Sequence, residues 1–190
     1  METLICYYLL MDNHLEIAVF GGGCFWCTEA VFQKLRGVKS VLPGYAGGHT
    51  ENPTYNQVAG KGTGHAEVIQ FEFDHSKITY RDLLEVFFAT HDPTTLNRQG
   101  NDAGPEYRSI ILYTNDQQKQ QAEAIIRELS ESHAYNDPIV TTVEPLSKFY
   151  EAESEHKNFY NNNINSPYCQ VIINPKIKKF KEKFASLVQE

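Results

Sequence analysis

The hydrophobic positions of this chain recur with two different periods, and segments of the two kinds interleave. Alternation of apolar and polar residues predicts a strand, and apolar residues three or four positions apart predict a helix. Strands are predicted at residues 16–20, 38–45, 66–73, 107–113 and 139–145. Helices are predicted at residues 25–34, 80–90 and 116–132. A short helix is predicted to begin at Glu151, and a last helix is predicted near the C-terminus. Strands 38–45 and 66–73 follow one another without a helix, so the order predicts an α+β two-layer domain with helices on a mixed or antiparallel sheet.

Two connections, residues 44–64 and 91–104, are longer and richer in Gly, Asn, Thr and His than ordinary turns. Long loops inside a compact domain are often functional. Each precedes a predicted strand, whereas the glycine turn at residues 21–23 precedes a helix. We therefore expect the two loops and this turn to meet at one end of the sheet.

Length and charge narrow the class of protein. A chain of 190 residues is long enough for one domain with a sizeable core, and its net charge of −7 argues against nucleic acid or an anionic membrane as the main partner. No segment has the length and apolarity of a membrane span.

We expect a cytoplasmic monomer with a single catalytic domain over residues 1–190. Residues 1–14 are expected to be a loose extension, with Met11 a second possible start, and residues 161–190 a tail and helix.

Cys24 is the first candidate for chemistry. It lies in Gly-Gly-Gly-Cys-Phe-Trp-Cys, between an apolar strand and a helix, so its sulfur is expected at a helix N-terminus. The positive end of the helix dipole and unpaired amide groups there favour a thiolate. Phe25 and Trp26 follow directly and offer an apolar surface. This combination favours redox or acyl chemistry on an apolar group.

Two further cysteines could react with Cys24. Cys27 completes a Cys-x-x-Cys pair, which at a helix start permits a redox disulfide. Cys169 lies in a polar, Asn-rich tail and could be a mobile thiol, or a small apolar residue that opens the run 171–173. A zinc site is not expected, because no second close pair of Cys or His ligands is present. No cofactor is expected.

Glu67 is the second strong candidate. In the strand at residues 66–73 the side-chain period of two places Glu67 on the same face as Ile69, Phe71 and Phe73. A carboxyl at the end of an apolar face is partly desolvated, which disfavours its charged form. Glu67 is therefore a candidate proton donor near neutral pH, although a strand-end carboxylate in water is the alternative.

Other residues admit ordinary structural explanations. Tyrosines beside the glycine-rich loops, such as Tyr55 and Tyr107, commonly serve as half-buried packing residues. Asp102 fits a turn, and His65 fits either a site or the polar start of a strand. The single Glu153-x-x-His156 is expected on a solvated helix face.

Read together, these segments resemble the methionine sulfoxide reductase A family. The motifs that carry the resemblance occur in the family's order from about Phe20 to beyond Ser109. They are Gly-Gly-Gly-Cys24-Phe25-Trp26-Cys27, Gly44-Tyr45-Ala46-Gly47-Gly48, Asn52-Pro53-Thr54-Tyr55, Gly62-Thr63-Gly64-His65-Ala66-Glu67, His91-Asp92-Pro93, Arg98-Gln99-Gly100-Asn101-Asp102, Gly104-x-x-Tyr107-Arg108-Ser109 and, more weakly, Ala152-Glu153-x-x-His156.

The resemblance implies an α+β two-layer sandwich with a ferredoxin-like plait core, and the reduction of methionine-S-sulfoxide, free or in proteins. Cys24 would attack the sulfoxide sulfur and become a sulfenic acid. The other implied roles are proton or hydrogen-bond donation to the oxygen by Glu67, Tyr55 and Tyr107, and substrate binding by Phe25, Trp26, Asp102 and His65.

The resemblance also implies a second thiol that converts the sulfenic acid into a disulfide, which a thioredoxin-type partner reduces. Some members of the family have this thiol in a glycine-rich C-terminal tail. Here a strand-like run and a helix follow Cys169, so Cys169 is favoured only slightly, and Cys27 and direct reduction by an external thiol stay open. Two rival functions are a thioredoxin-like dithiol oxidoreductase using Cys24 and Cys27, and a non-enzymatic module that binds methionine or its sulfoxide.

Overall fold

The computed structural model describes residues 14–189, so the predictions for the N-terminal extension and for Met11 lie outside the described residues. The strands are β1 (Leu15–Gly22), β2 (Val38–Ala46), β3 (Ala66–Asp74), β4 (Arg98–Gln99), β5 (Asp102–Ala103), β6 (Ser109–Tyr113), β7 (Thr142–Pro145) and β8 (Phe149–Glu151). The helices are α1 (Phe25–Phe32), α2 (Tyr55–Ala59), α3 (Tyr80–Thr90), α4 (Asp116–Glu131), α5 (Phe159–Asn162) and α6 (Asn174–Lys183), with a π-helical turn at Cys169–Ile173.

Six of these strands form one mixed sheet in the order β7-β6-β1-β3-β2-β8. The β6–β7 pair is parallel, and the other neighbouring pairs are antiparallel. Strands β4 and β5 form a separate small ribbon. The predicted α+β class with helices on a mixed sheet is therefore confirmed.

The larger core lies between the sheet and the helices. Phe20 of β1 packs its ring against Phe32 of α1, Phe71 of β3 and Phe87 of α3, with ring centroids 5.0 to 5.8 Å apart. Alternate residues of the same strands point to the opposite face and form a smaller cluster, which includes Val19 and Val68. Burial of both faces fixes the register of the central strands.

Reciprocal side-chain caps set the start of two helices. Thr79 caps α3 and exchanges hydrogen bonds with Asp82. Thr54 and Gln57 form the same reciprocal pair at α2. This second helix lies inside the connection at residues 44–64, which is therefore not a simple loop.

The C-terminal third differs most from prediction. Instead of a helix from Glu151, Phe149–Glu151 forms β8, because the backbone groups of β2 on that edge need partners. The strand-like run 171–173 is π-helical and continues into α6. There the side chain of Ile173 is buried and that of Val171 is 69% exposed, as a helical turn requires.

Candidate active site

Cys24 lies at the junction between β1 and α1. Gly23, the preceding residue, has a φ of 91°, which non-glycine residues rarely adopt. A Cβ on Gly23 would lie 2.5 Å from the side chain of Gln99, so the loop at residues 91–104 packs against this turn. Cys24 is the N-cap of α1 and only 8% exposed. The predicted helix-terminal position is confirmed, in a nearly enclosed site.

Glu67 reaches the same helix terminus from β3. Its Oε2 accepts a hydrogen bond from the backbone N–H of Phe25 at 3.0 Å, and the side chain is 3% exposed. The predicted strand parity is confirmed, because Ile69 and Phe71 point into the same core. The Glu67 carboxyl and the Cys24 thiol therefore both lie at the N-terminus of α1.

The surroundings of Glu67 favour its neutral form. Burial raises the pKa of Glu67 to about 8, with smaller contributions from the charges of Asp102 and Glu106, against the opposing hydrogen bond from Phe25. At neutral pH most Glu67 carboxyls therefore carry a proton. Such a group can donate that proton to a weakly basic oxygen.

The structure contradicts the expectation that the helix terminus favours a Cys24 thiolate. Burial raises the pKa of Cys24 well above its usual range, and the hydrogen bond with Cys27 and the charge of Glu67 act in the same direction. The backbone N–H of Phe25, at the start of α1, donates to Glu67.

Cys27 is the more acidic thiol of the pair. The hydrogen bond from Cys24 lowers the pKa of Cys27 to about 6, against the effect of burial, and the charge of Lys176 and the hydroxyl of Tyr168 lower it further. The opposite directions of the two pKa shifts favour a negative charge on Cys27 over one on Cys24. Cys24, Cys27 and Cys169 are all free thiols.

An aromatic cluster lies beside the thiols. Phe25 is buried, and Trp26 is half-buried with Phe159 stacked flat on its ring, 3.7 Å between centroids and 7° between planes. The expected apolar surface is therefore mainly that of Trp26, while Phe25 is part of the core beneath it.

Tyr55, Tyr107 and Asp102 also belong to this region. The two tyrosines are half-buried, and burial followed by the charge of Glu67 raises the pKa of each hydroxyl. Both hydroxyls therefore stay protonated and can donate hydrogen bonds. Asp102 lies in β5, burial raises its pKa, and its charge contributes to the raised pKa of Glu67. The three expected residues thus surround the acid.

His65 differs from the expectation of a substrate-binding residue. Its Nδ1 accepts a hydrogen bond from the backbone N–H of Gly48 at 3.1 Å, and its Nε2 lies 2.7 Å from the carbonyl oxygen of Thr50. The side chain is 3% exposed. With both nitrogens occupied by backbone groups, His65 holds the loop after β2 in place.

The pair Glu153 and His156 is not a solvated helix face. Glu153 accepts hydrogen bonds from the backbone N–H of Tyr55 and from the Tyr45 hydroxyl, each at 2.8 Å. His156 is 5% exposed, and its ring centroid lies 4.5 Å from that of Tyr55. The pair therefore positions Tyr55, a role that the Glu-x-x-His spacing signals only if the segment is buried.

Sequence reasoning missed two other residues near the thiols. Glu106 is 3% exposed, and its charge contributes to the raised pKa of Glu67. The Tyr168 hydroxyl lies 3.6 Å from Cys27 Sγ. In the sequence, Glu106 precedes Tyr107 and Tyr168 precedes Cys169. These neighbouring positions are the signals by which the two residues could have been found.

Cys169 is fully buried in the core, and its backbone N–H donates to Ser166 Oγ at 3.3 Å. It begins the π-helical turn that leads into α6. The expectation of a mobile thiol in a polar tail is therefore wrong for this structure, and the small apolar residue is the better description.

Glu29 ties the aromatic cluster to α1. Its carboxylate accepts hydrogen bonds from the backbone N–H groups of Asn158 at 2.7 Å and Phe159 at 3.3 Å. We expect Glu29→Ala to lower the free energy of unfolding by about 1–3 kcal/mol, since it leaves two backbone donors without an acceptor. Urea titration checks this against Glu131→Ala, which changes an exposed carboxylate. Equal unfolding midpoints for the two variants would contradict it.

The pH dependence of stability provides a second readout for Glu29. Burial raises its pKa from 4.5 to about 7, so the folded protein binds this proton more tightly than the unfolded chain does. The associated stability is fully present below pH 4.5 and is lost as pH rises through 7. The stability of the wild-type protein relative to Glu29→Gln should fall across this window.

Among residues 14–189 there is no group of three or more His, Cys, Asp or Glu side chains placed to hold a metal ion. In the same part of the chain, no helix combines the length and the apolarity needed to cross a membrane.

Comparison with known proteins identifies the family of this chain. The family profile described as "Peptide methionine sulfoxide reductase" matches residues 16–188. The peptide methionine sulfoxide reductase MsrA of Saccharolobus solfataricus is 54% identical over 175 residues, which cover 92% of this chain and 98% of the relative.

Solved structures show the same fold. Reduced Mxr1 from Saccharomyces cerevisiae has a TM-score of 0.75 at 30% identity and covers 83% of this chain and 91% of its own. A structure of Mxr1 in complex with Trx2 has a TM-score of 0.53 at 24% identity over 78% of this chain and 86% of its own, a likeness of fold alone. With the family profile spanning most of its length, the chain belongs to the peptide methionine sulfoxide reductase family.

Proposed function

We propose that this protein reduces methionine-S-sulfoxide, free or in proteins, to methionine, with Cys24 as the nucleophile. The observation that carries the proposal is the position of Glu67 of β3, whose carboxyl accepts the Phe25 N–H at the start of α1, next to Cys24. A sulfoxide oxygen leaves sulfur only after it gains a proton, and burial, which raises the pKa of Glu67 to about 8, favours the neutral carboxyl that can donate it.

In the first step Cys24 Sγ attacks the sulfoxide sulfur and transfers its proton to Cys27, whose thiolate accepts a hydrogen bond from it. Glu67 gives its proton to the oxygen, assisted by the hydroxyls of Tyr55 and Tyr107. The hydroxyl group then moves from the substrate sulfur to Cys24 Sγ as the substrate S–O bond and the newly formed S–S bond both break, so methionine leaves and Cys24 becomes a sulfenic acid. The substrate is reduced by two electrons and Cys24 is oxidised by two.

Trp26 would hold the S-methyl group on its exposed surface, with Phe25 beneath. Phe159 and His156 contact the indole from other sides, with ring centroids 3.7 Å and 5.7 Å away. A rigid aromatic surface favours a small apolar group over a charged one. Asp102 is proposed to bind the polar part of the substrate.

We infer that Cys27 rather than Cys169 resolves the sulfenic acid. Cys27 lies one turn from Cys24, and the two thiols share a hydrogen bond. Cys169 is enclosed in the core and would have to unfold the π-helical turn to move. The Cys27 thiolate attacks Cys24 Sγ, the S–S bond forms, the S–O bond breaks, and the hydroxide leaves as water after it gains a proton.

A thioredoxin-type protein is the proposed partner that reduces the disulfide. The structure of yeast Mxr1 with Trx2 records such a complex for a relative. The chemistry agrees, because a dithiol reductant exchanges with a disulfide through a mixed disulfide.

The proposal extends to the organisation of the chain as one catalytic domain, monomeric and cytoplasmic. A ferredoxin-like plait core is supported by four adjacent antiparallel strands in the order β6-β1-β3-β2. Helix α1 connects β1 to β2, and α3 lies between β3 and β6.

The test uses both sulfoxide epimers of a blocked methionine with dithiothreitol, followed by chromatography of the methionine product. We expect turnover of the S epimer and at most slight turnover of the R epimer. A second reaction without reductant, followed by peptide mass mapping, should yield one methionine per protein and a Cys24–Cys27 disulfide. A Cys24–Cys169 disulfide would overturn the assignment of Cys27, and no methionine would overturn the function.

A further inference from the structure

The segment before α6 covers the dithiol. The Tyr168 hydroxyl lies 3.6 Å from Cys27 Sγ, and its ring meets Trp26 edge-on with centroids 5.6 Å apart. Lys176, in the first turn of α6, lines a small cavity with Cys27. Two polar groups from one C-terminal segment therefore face the thiol that the proposed function assigns to the resolving step.

A buried thiolate needs such partners. Cys27 is 3% exposed, so water can hydrate its sulfur only slightly. In the resting site the Cys24 thiol donates a hydrogen bond to Cys27, and Lys176 and Tyr168 add smaller favourable contributions. Tyr168 keeps its own proton because burial and the neighbouring thiols raise the pKa of its hydroxyl. It can therefore act as a donor.

The balance between these partners changes during the reaction. When Cys24 becomes a sulfenic acid, its S–H group no longer exists and its former hydrogen bond to Cys27 is lost. Cys27 must lose its proton again before it can attack. Of the groups that favour a Cys27 thiolate in the resting site, Tyr168 and Lys176 are chemically unchanged at that moment.

We propose that Tyr168 is a catalytic residue of the resolving step, in which its hydroxyl donates a hydrogen bond to the Cys27 thiolate while Lys176 supports the same negative charge. The inference rests on the proposed function and on Cys27 as the resolving thiol. Cys27 releases its proton, Cys27 Sγ attacks Cys24 Sγ, the S–S bond forms as the S–O bond breaks, and the leaving hydroxide takes up the released proton to form water. Tyr168 returns to its starting state without loss of its proton.

The test separates the two steps in a single turnover without external reductant. Methionine is followed by chromatography, sulfenic acid by trapping with dimedone, and the Cys24–Cys27 disulfide by mass. In Tyr168→Phe we expect disulfide formation to slow at least about tenfold relative to methionine formation, since a hydrogen bond to a charged group is lost. The trapped sulfenic acid should increase in parallel.

Tyr160→Phe is the matched control. Tyr160 also belongs to the C-terminal region, but its hydroxyl donates to Asn174 Oδ1 at 2.7 Å rather than to a sulfur. We expect its ratio of the two rates to equal that of the wild type. The pH dependence of Cys27 alkylation, located by peptide mass, should shift to higher pH in Tyr168→Phe and stay unchanged in Tyr160→Phe.

An equal ratio of rates in Tyr168→Phe and the wild type would overturn the inference, even with the function intact. Absence of methionine in the wild type would instead overturn the proposed function. Should Tyr168→Phe fail to fold, Lys176→Met in the same assay is the second variant. Slower disulfide formation in Lys176→Met would support activation of Cys27 by this segment, and an unchanged rate of disulfide formation would overturn it.

Discussion

Replacing Cys24 with serine is expected to abolish sulfoxide reduction, with a loss of roughly three orders of magnitude or more, as for removal of other enzymic nucleophiles. A serine oxygen cannot become a sulfenic acid, so the oxygen atom has no acceptor. The buried position of Cys24 also disfavours the charged alkoxide that a serine nucleophile would need. Chromatography of methionine after hours with excess dithiothreitol measures the residual rate.

Cys27→Ser is the informative control for this loss. It keeps the nucleophile and should still form about one methionine per protein without reductant, with a sulfenic acid that dimedone traps. Cys24→Ser should form none. A stoichiometric amount of methionine from Cys24→Ser would contradict the assignment of the nucleophile, whatever Cys27 does.

The sequence predicts the central sheet and its helices well because both faces of that sheet are buried. On β1 a short apolar run, whose Phe20 and Val19 point to opposite faces, fits a strand buried on both sides. On β3 the alternation of Phe71 and Phe73 with Gln70 and Glu72 sets the strand period and parity. The same parity placed Glu67 on the core face. A site built on regular elements is therefore readable from the sequence.

The C-terminal segment was less predictable because its pattern is compatible with several structures. Val171, Ile172 and Ile173 form an apolar run with strand propensity, but the edge of β2 is already paired with Phe149–Glu151. The run then packs as a helical turn against the core. Which segment fills an edge is decided by tertiary packing, and local propensity does not contain that information.

The ionisation of Cys24 was also predicted in the wrong direction, because the burial of its thiol and the partner of the nearby Phe25 amide depend on tertiary structure. A helix N-terminus favours a thiolate only when its amide groups are free to donate to the sulfur. Here Phe25 donates to Glu67, so the same terminus supports the carboxyl instead. The competition between Cys24 and Glu67 for one amide is visible only in three dimensions, and it also separates this site from a simple Cys-x-x-Cys dithiol.

Glu67→Gln is expected to lower the rate of the chemical step by about a hundredfold, within the range known for loss of a general acid. Glutamine keeps an oxygen that can accept the Phe25 N–H, so the start of α1 is preserved and only the acidic proton is removed. Single-turnover formation of methionine at saturating sulfoxide measures this step. Glu72→Gln, which changes an exposed carboxylate whose side chain points to the opposite side of β3, is the matched control and should be unaffected.

The pH profile tests the same role independently of the fold of the variant. Since burial raises the pKa of Glu67 to about 8, the donor is present below that pH and is lost as pH rises through it. The rate of the chemical step in the wild type should therefore fall about tenfold per pH unit above 8, as expected for a single deprotonation. Glu67→Gln should lose this alkaline limb while Glu72→Gln keeps it. An alkaline limb that persists in Glu67→Gln would assign the proton to another group, with the hydroxyls of Tyr55 and Tyr107 the next to test.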